Sequence, residues 1–260
     1  MTVQVERRGA VATITLDRPQ AMNAVDAELG DALKAAVEQA AGDDAVRAVV
    51  LTGNGKAFCS GADLKSGFEP DADGYPDVEK ALTNRFHPII EGLKTMPKPT
   101  IAAINGPAVG IGLSFALACD LSLAAESSYC MLAFVNIGLV PDGGSSFLIP
   151  ERIGYARAIE MAMLGEKVPA ATAHEWGLIN RVVADGQLLT QAAELADRLA
   201  AGPTRSYAGS KRQLNNWALH RMQEQLALEA SIQAEMARTR DFVEGVTAFV
   251  EKRPARFLGA

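Results

Sequence analysis

Residues 101–125 read IAAINGPAVGIGLSFALACDLSLAA, and the understanding of this run decides the fold. It is apolar enough to suggest a membrane span, but Asn105, Ser114 and Asp120 interrupt it. Neither an aromatic belt nor a basic flank follows. The β-suited residues Ile101–Ile104 meet a turn at Asn105-Gly106-Pro107. Small and apolar residues from Gly110 to Ala118 suit a buried helix, and Leu121–Ala124 suits a second strand. Strand, helix and strand in so short a run predict a soluble α/β protein rather than a membrane one.

The same rhythm extends outward. Upstream, Ala48–Thr52 (AVVLT) reads as a strand buried on both faces. Before it, Leu29, Leu33, Ala36, Val37 and Ala40 recur at helical spacing behind a capping Asp26. Val3 and Val5, then Val11, Ile14 and Leu16, flank Arg8-Gly9-Ala10 as a hairpin. Downstream, Ile179–Val183 reads as a strand after a helix ending at Gly177. No repeat with a period of about 20–50 residues is visible, so the sequence itself does not announce a solenoid. Past Gly202-Pro203 the strand-like runs stop. Residues 204–252 are helical in pattern, with Leu214, Trp217, Leu226 and Leu228 available for an apolar face. The expected organisation is a core over 1–200 and a helical segment over 201–260, lying either on its own domain or on a neighbouring subunit. Lys65–Asp77 is polar and rich in Pro and Gly, and reads as a mobile loop.

Composition narrows the function classes. A chain of 260 residues suits one domain or two small ones. With 48% hydrophobic and 22% charged residues, global disorder is excluded. Twenty-five Lys and Arg against 31 Asp and Glu give a net charge of −6. That balance offers no broad basic surface for nucleic acid. Three cysteines without a CxxC pair argue against a disulfide framework or zinc ribbon. The N-terminal MTVQVERRG lacks the apolar stretch of a signal peptide. A reduced, cytoplasmic protein without membrane or nucleic-acid partners is expected.

Familiar chemical motifs are missing: there is no GxxxxGK, HExxH or GxSxG. Gly110-Ile111-Gly112 is a fragment of a dinucleotide fingerprint without its third glycine. His87, His174 and His220 are scattered along the chain, so no metal site is expected. Two glycine-rich bends remain, TGNGKAFCSGADL (52–64) and NGPAVGIG (105–112). Each is predicted to carry a strand into a helix, the first helix starting at Ala62-Asp63-Leu64. Helix starts expose free N–H groups, and glycines let a ligand approach them. Two such donors aimed at one point would form an oxyanion hole; the plainer alternative is two tight turns. Between Lys98 and Arg152 there is no Lys, Arg or His. Asp120 and Glu126 suit structural roles there. Asp142, in GLVPDGGSS (138–146), suits either a general base with a raised pKa or a helix N-cap.

Taken together, GNGKAFCSGADL, AAINGPAVGIGLSFALACD, IGLVPDGGSSFLIPERIG and ATAHEWGLINRVV resemble the crotonase superfamily, also called the enoyl-CoA hydratase/isomerase family. DRPQAMNA (17–24) and the terminal FVEKR (249–253) resemble its opening and closing motifs. The likeness covers nearly the whole chain in order. It implies a spiral of ββα units, then a C-terminal helical region that supports trimers or dimers of trimers. It implies an acyl-coenzyme A thioester as substrate, with no separate cofactor. The N–H groups of Ala62 and Ile111 would polarise the thioester oxygen. Coenzyme A would pass Gln20, Ala21, Met22 and Ala24, then Ser60, Asp63 and Leu64, with Phe249 and Lys252 approaching from a neighbouring subunit. Arg18, Lys56, Lys65 and Lys252 would offset its phosphates, since exposed charges act over only about 8 Å at physiological salt.

The departures from the family pattern select a reaction. The two glutamates by which hydratases of the family activate water fall here at Ser114 and Phe134, acyl-pocket positions where neither residue is a base. Asp142 falls where several isomerases of the family place their carboxylate. The VPDGGSS run also resembles ring-opening or oxepin-forming isomerases of phenylacetate breakdown. An enoyl-CoA isomerase is therefore expected. The alternatives are a hydratase with another water-positioning group, a non-catalytic acyl-CoA binder, and an interaction protein acting through its C-terminal helices.

Overall fold

A computed structural model describes residues 2–260. β1 (Val3–Arg8) and β2 (Val11–Leu16) form the antiparallel hairpin. α1 (Ala27–Gly42) follows, its first turn closed by Asp26 accepting the Leu29 N–H at 2.8 Å. Leu29, Leu33, Ala36, Val37 and Ala40 form its buried stripe, as their spacing predicts. After β3 (Ala48–Gly53), α2 (Val78–Ala81) continues through a π turn into α3 (His87–Thr95). Then come β4 (Thr100–Ile104), β5 (Ala108–Val109) and α4 (Ile111–Ala118). β6 (Leu121–Ala125) and β7 (Tyr129–Met131) lead through a 3-10 turn, Ala133–Ile137, to α5 (Ser145–Leu164). β8 (Val168–Pro169), α6 (Ala170–Glu175) and β9 (Arg181–Val183) complete the strands. The chain ends in α7 (Leu188–Ala201), α8 (Thr204–Ala218), α9 (Met222–Met236) and α10 (Arg240–Glu251).

The main sheet has the order β1-β2-β3-β4-β6-β9, parallel beyond the first hairpin. Alternation along its strands divides the core. Val49 and Leu51 of β3, with Ala102 and Ile104 of β4, face α1, α3 and α4. Ala48, Val50, Ile101 and Ala103 face the apolar side of α7. Burial on both faces is why these strands read as continuous apolar runs.

A second, smaller sheet joins β5, β7 and β8, and Cys59 bridges to Ala108 at its edge. The chain therefore repeats one path. β3 leads to the extended segment 59–62 and then α2–α3; β4 leads to β5 and α4; β6 leads to β7 and α5. These are the ββα turns of a spiral. They start at Ala48, Thr100 and Leu121, spacings so unequal that no sequence period survives.

Three expectations need correction. No helix starts at Ala62; the main chain there is extended and bridges Val25, with Val25 N–H donating to Gly61 and Asp63 N–H to Val25. Those bonds commit the backbone to strand geometry, and Asp63 then closes a turn on the Lys65 N–H. The loop 65–77 is irregular as expected but tied down, with Asp71 and Asp73 paired to Arg238 and that guanidinium over the Tyr75 ring. In the C-terminal helices only Leu226 of the four expected apolar anchors is buried, while Leu214 and Trp217 on α8 are 69% and 76% exposed. α9 packs on α2 and α5, and α10 on the 133–137 turn, so both lie on their own chain's core. No helix among the described residues is long and apolar enough to cross a membrane.

Candidate active site

The two glycine-rich bends lie side by side. Cys59 and Ala108 pair in parallel, Cys59 N–H donating to Pro107 and Val109 N–H to Cys59. Three residues further along each segment stand Ala62 and Ile111, at the same level of the pairing. Each follows a glycine in the left-handed region, Gly61 at φ +101° and Gly110 at φ +55°. A side chain resists that geometry, and it turns the next amide out of the ladder. Among the described residues neither the Ala62 nor the Ile111 N–H has a protein acceptor. Unpaired main-chain donors are rare in a folded interior, and a pair of them is the makeup of an oxyanion hole. Ile111 is the first residue of α4, so its N–H also carries the positive end of a helix.

Asp142 stands beside the first turn of α4. Its main-chain carbonyl accepts from the Ser114 hydroxyl at 2.9 Å and the Ser145 hydroxyl at 2.8 Å. Its side chain is 5% exposed. One carboxylate oxygen, Oδ2, accepts from Gln233 Nε2 at 2.7 Å, and Oδ1 is buried without a partner. Burial pushes this carboxyl up to about 8; the Gln233 bond opposes the rise and the nearby Glu229 carboxylate adds to it. The alternative of an N-cap is not what forms, because Gly144 occupies the cap of α5 and no side chain bonds there.

Nothing in the motifs points to Glu229 and Gln233, both buried on α9. Glu229 accepts from the Gly144 N–H at 2.8 Å and the Ser146 N–H at 3.1 Å. Burial raises it to about 7, against those bonds. The signal was the four-residue spacing of Gln225, Glu229 and Gln233, which puts three polar side chains on one helix face.

Ser114 is fully buried and spends its hydroxyl on Asp142, while Phe134 lays its ring against Gly110. Neither is a base, and the aromatic ring dries the wall beside Ile111. Cys59, Cys119 and Cys130 are buried free thiols pushed up to about 12, so none offers a thiolate nucleophile. Among the described residues no group of three or more His, Cys, Asp or Glu is placed to hold a metal ion.

The residues expected along coenzyme A fall into two groups. Met22 O accepts from Ser60 N–H, and Val25 lies between Gly61 and Asp63, so Ala21, Met22 and Ala24 run beside Ser60–Leu64 with Gln20 exposed at the edge. Asp63 turns away to Arg18 at 3.0 Å, and Arg18 also meets Asp26 at 3.1 Å. Arg18 is thus neutralised within the protein; Lys56 and Lys65 stay exposed. Phe249 and Lys252 lie at the exposed end of α10. The cavity beside Ala62, lined by Val25, Phe68 and Phe86 among others, holds about 60 Å³.

A ββα spiral with paired free amides at two parallel bends and a buried carboxylate beside one of them defines the crotonase class of protein. The sequence profile described as "Enoyl-CoA hydratase/isomerase" matches residues 6–260, and the chain belongs to that family. It is 42% identical over 258 residues to a probable enoyl-CoA hydratase of Rhodobacter capsulatus, covering 99% of this chain and 98% of that one. It is 38% identical to the 1,2-epoxyphenylacetyl-CoA isomerase of Escherichia coli, covering 96% and 95%. The crystal structure of an enoyl-CoA hydratase from Mycobacterium avium subsp. paratuberculosis superposes with a TM-score of 0.90 at 33% identity, covering 99% of both chains.

Proposed function

We propose that this member of the family is an enoyl-CoA isomerase that moves a double bond by proton transfer, without adding water. The observation that carries the proposal is Asp142. It is a buried carboxyl with one unpartnered oxygen, set beside the Ile111 turn where Ser114 and Phe134 replace water-activating glutamates. Asp142 takes a proton from the α carbon of a 3-enoyl-CoA. The C–H electron pair becomes an enolate whose oxygen is held by the Ala62 and Ile111 amides. The carboxylic acid returns the proton at the γ carbon, giving the 2-enoyl-CoA. A group whose pKa lies near the working pH serves well in both directions. Glu229 is tied by one amide on each oxygen to the loop that carries Asp142, which suits a role in holding that loop.

A second substrate class has its own support in the relative named 1,2-epoxyphenylacetyl-CoA isomerase. A cyclic acyl group would use the same amides and the same carboxylate. The cavity of about 60 Å³ beside Ala62 is walled in part by Phe68 of the loop 65–77, which sets that loop next to one of the two amides. The reading includes a homotrimer or dimer of trimers. The exposed apolar side chains Val243, Phe249 and Val250 on α10 support it, and such an assembly would bring Phe249 and Lys252 to a neighbour's ligand. Buried free thiols fit a reducing, cytoplasmic setting.

The test is Asp142→Asn assayed on 3-enoyl-CoA, 2-enoyl-CoA and 1,2-epoxyphenylacetyl-CoA. Wild type should isomerise without forming 3-hydroxyacyl-CoA, with a rate that rises as Asp142 ionises. The variant should lose at least about 10³-fold in kcat and keep its acyl-CoA affinity. Undiminished isomerisation by Asp142→Asn, or rapid hydration by wild type, overturns the assignment.

A further inference from the structure

We propose that Gln233 is a positioning residue: it fixes the Asp142 carboxylate so that Oδ1, and not Oδ2, faces the substrate's α proton. The inference rests on Asp142 being the base. Its own content is that α9, in the helical C-terminal segment, sets how that base works.

The two carboxylate oxygens are unequal. Oδ2 takes a hydrogen bond from Gln233 Nε2 at 2.7 Å, whereas Oδ1 is buried with no partner among the described residues. A buried acceptor left unpaired is costly unless something else comes to meet it. The Gln233 amide cannot flip to satisfy both oxygens, because its other contacts hold it. Oε1 accepts the Val140 N–H at 3.2 Å while Nε2 also donates to Val140 O at 2.8 Å. With Oε1 committed to an N–H, only the NH₂ end can meet Asp142, so this side chain always donates. A donated hydrogen bond favours the ionised carboxylate, the form that can accept a proton.

The rest of the α9 stripe holds the segment on which Asp142 sits. One turn back, Glu229 ties the Gly144 and Ser146 amides, and a further turn back Gln225 donates to the Ser146 hydroxyl at 2.8 Å. From the other side Ser114 of α4 grips the Asp142 carbonyl. The backbone and one carboxylate oxygen are thus immobilised from two elements, and the remaining oxygen is reserved. Among the groups packed on Asp142, α4 offers Ser114, with Ile111 against the adjoining Gly143, and its own loop offers Ser145, none charged. From α9 come neutral Gln233 and the carboxyl of Glu229, the charged group that acts on it.

Gln233→Met keeps the length and shape of the side chain and removes the donor. On 3-enoyl-CoA the expected result is a fall in kcat of roughly 10–100-fold with KM within about twofold, because the lost bond acts on the base and not on ligand contacts. The acidic limb of the kcat/KM profile should move to higher pH. Glu229→Gln, which removes a neighbouring negative charge, should move the same limb to lower pH. General loosening of the segment has no reason to produce opposite shifts. If Gln233→Met does not fold, Gln233→Asn, whose amide is one methylene short of Asp142, should show the same upward shift. A wild-type kcat and an unmoved limb in the folded variant overturn this proposal. Asp142→Asn, measured alongside, separates the cases: retained turnover there removes the base itself, while turnover lost there but intact in Gln233→Met removes only the role of Gln233.

Discussion

Asn23 ties the site's first bend to the N-terminal strands. It is fully buried and sits at φ +56°, a left-handed geometry that Asn tolerates better than most residues. Its Nδ2 reaches three main-chain carbonyls, those of Asn54 at 2.9 Å, Ala57 at 2.8 Å and Phe58 at 3.3 Å. Its Oδ1 accepts the Arg18 N–H at 2.9 Å. The three carbonyls belong to the stretch that places Ala62, so the side chain does the work of a missing strand. Asn23→Ala removes every one of these bonds; the Ala57 carbonyl keeps Asn105 Nδ2 at 3.3 Å, but the buried Phe58 carbonyl loses its side-chain donor. A loss of about 2–4 kcal/mol is expected, visible as a lower midpoint in urea with an unchanged slope. Asn23→Asp should be at least as damaging, since a carboxylate cannot donate. A variant within about 0.5 kcal/mol of wild type, the range of an ordinary surface change, would show the bend to be self-supporting.

Among the elements, α4 is packed tightly against the 59–62 segment. An added Cβ at Gly112 would lie 2.6 Å from Cys59 Cβ and 2.7 Å from Cys59 Sγ, with the Cys59 carbonyl closer still. In an isolated helix, alanine is favoured over glycine by about 1 kcal/mol. Here the clash is with another segment's main chain and cannot be relieved by a rotamer change, so sterics prevail. Gly112→Ala should push α4 off the 59–62 segment and part the Ile111 amide from that of Ala62. The expected outcome is a fall in kcat of about 10²–10³-fold, the typical effect of losing one oxyanion donor, together with a lowered melting temperature. A Gly112→Ala enzyme of normal kcat would mean the two amides need not be neighbours. How far such elements can be read from sequence depends on what they bury. α1 was legible in its cap and in five of its buried residues because its stripe is apolar behind an Asp cap. The buried face of α9 was not, since it presents Glu229 and Gln233 to a polar loop and leaves Leu228 outside. The 59–62 segment resembled a helix start because small residues suit both forms; its partner Val25 is remote in sequence, and only tertiary pairing makes it extended. The family motifs located both bends and Asp142, while the glutamine and glutamate that hold Asp142 carry no motif at all.

For the molecule as a whole, the site sets how stability varies with pH. Folding raises Asp142 from 3.8 to about 8 and Glu229 from 4.5 to about 7, both chiefly through burial. Between the unfolded and folded values the native state binds more protons than the unfolded one. Their contribution is therefore fully present at low pH and lost as pH rises through the folded values. Each contributes a slope of about 1.4 kcal/mol per pH unit where its two states differ by a full proton. His87 acts in the opposite sense: burial lowers it from 6.5 to about 4, so its contribution is present above 6.5 and lost as pH falls. Two protons outweigh one, and these groups together make the fold weaker from about pH 5 to pH 8. Above that, Lys94, lowered from 10.5 to about 8 by burial and by Arg152 beside it, returns some stability as it loses its charge. Melting temperatures measured across this range should fall for wild type. Asp142→Asn should flatten the fall, its margin over wild type widening from pH 5 to pH 8, although the same change removes turnover. A variant that keeps the wild-type slope would show that Asp142 is not the group titrating. The expected opposition is physical: a base for carbon acids must be desolvated to be strong, and the fold holds that charge in place through α4 and α9 at the expense of its own stability.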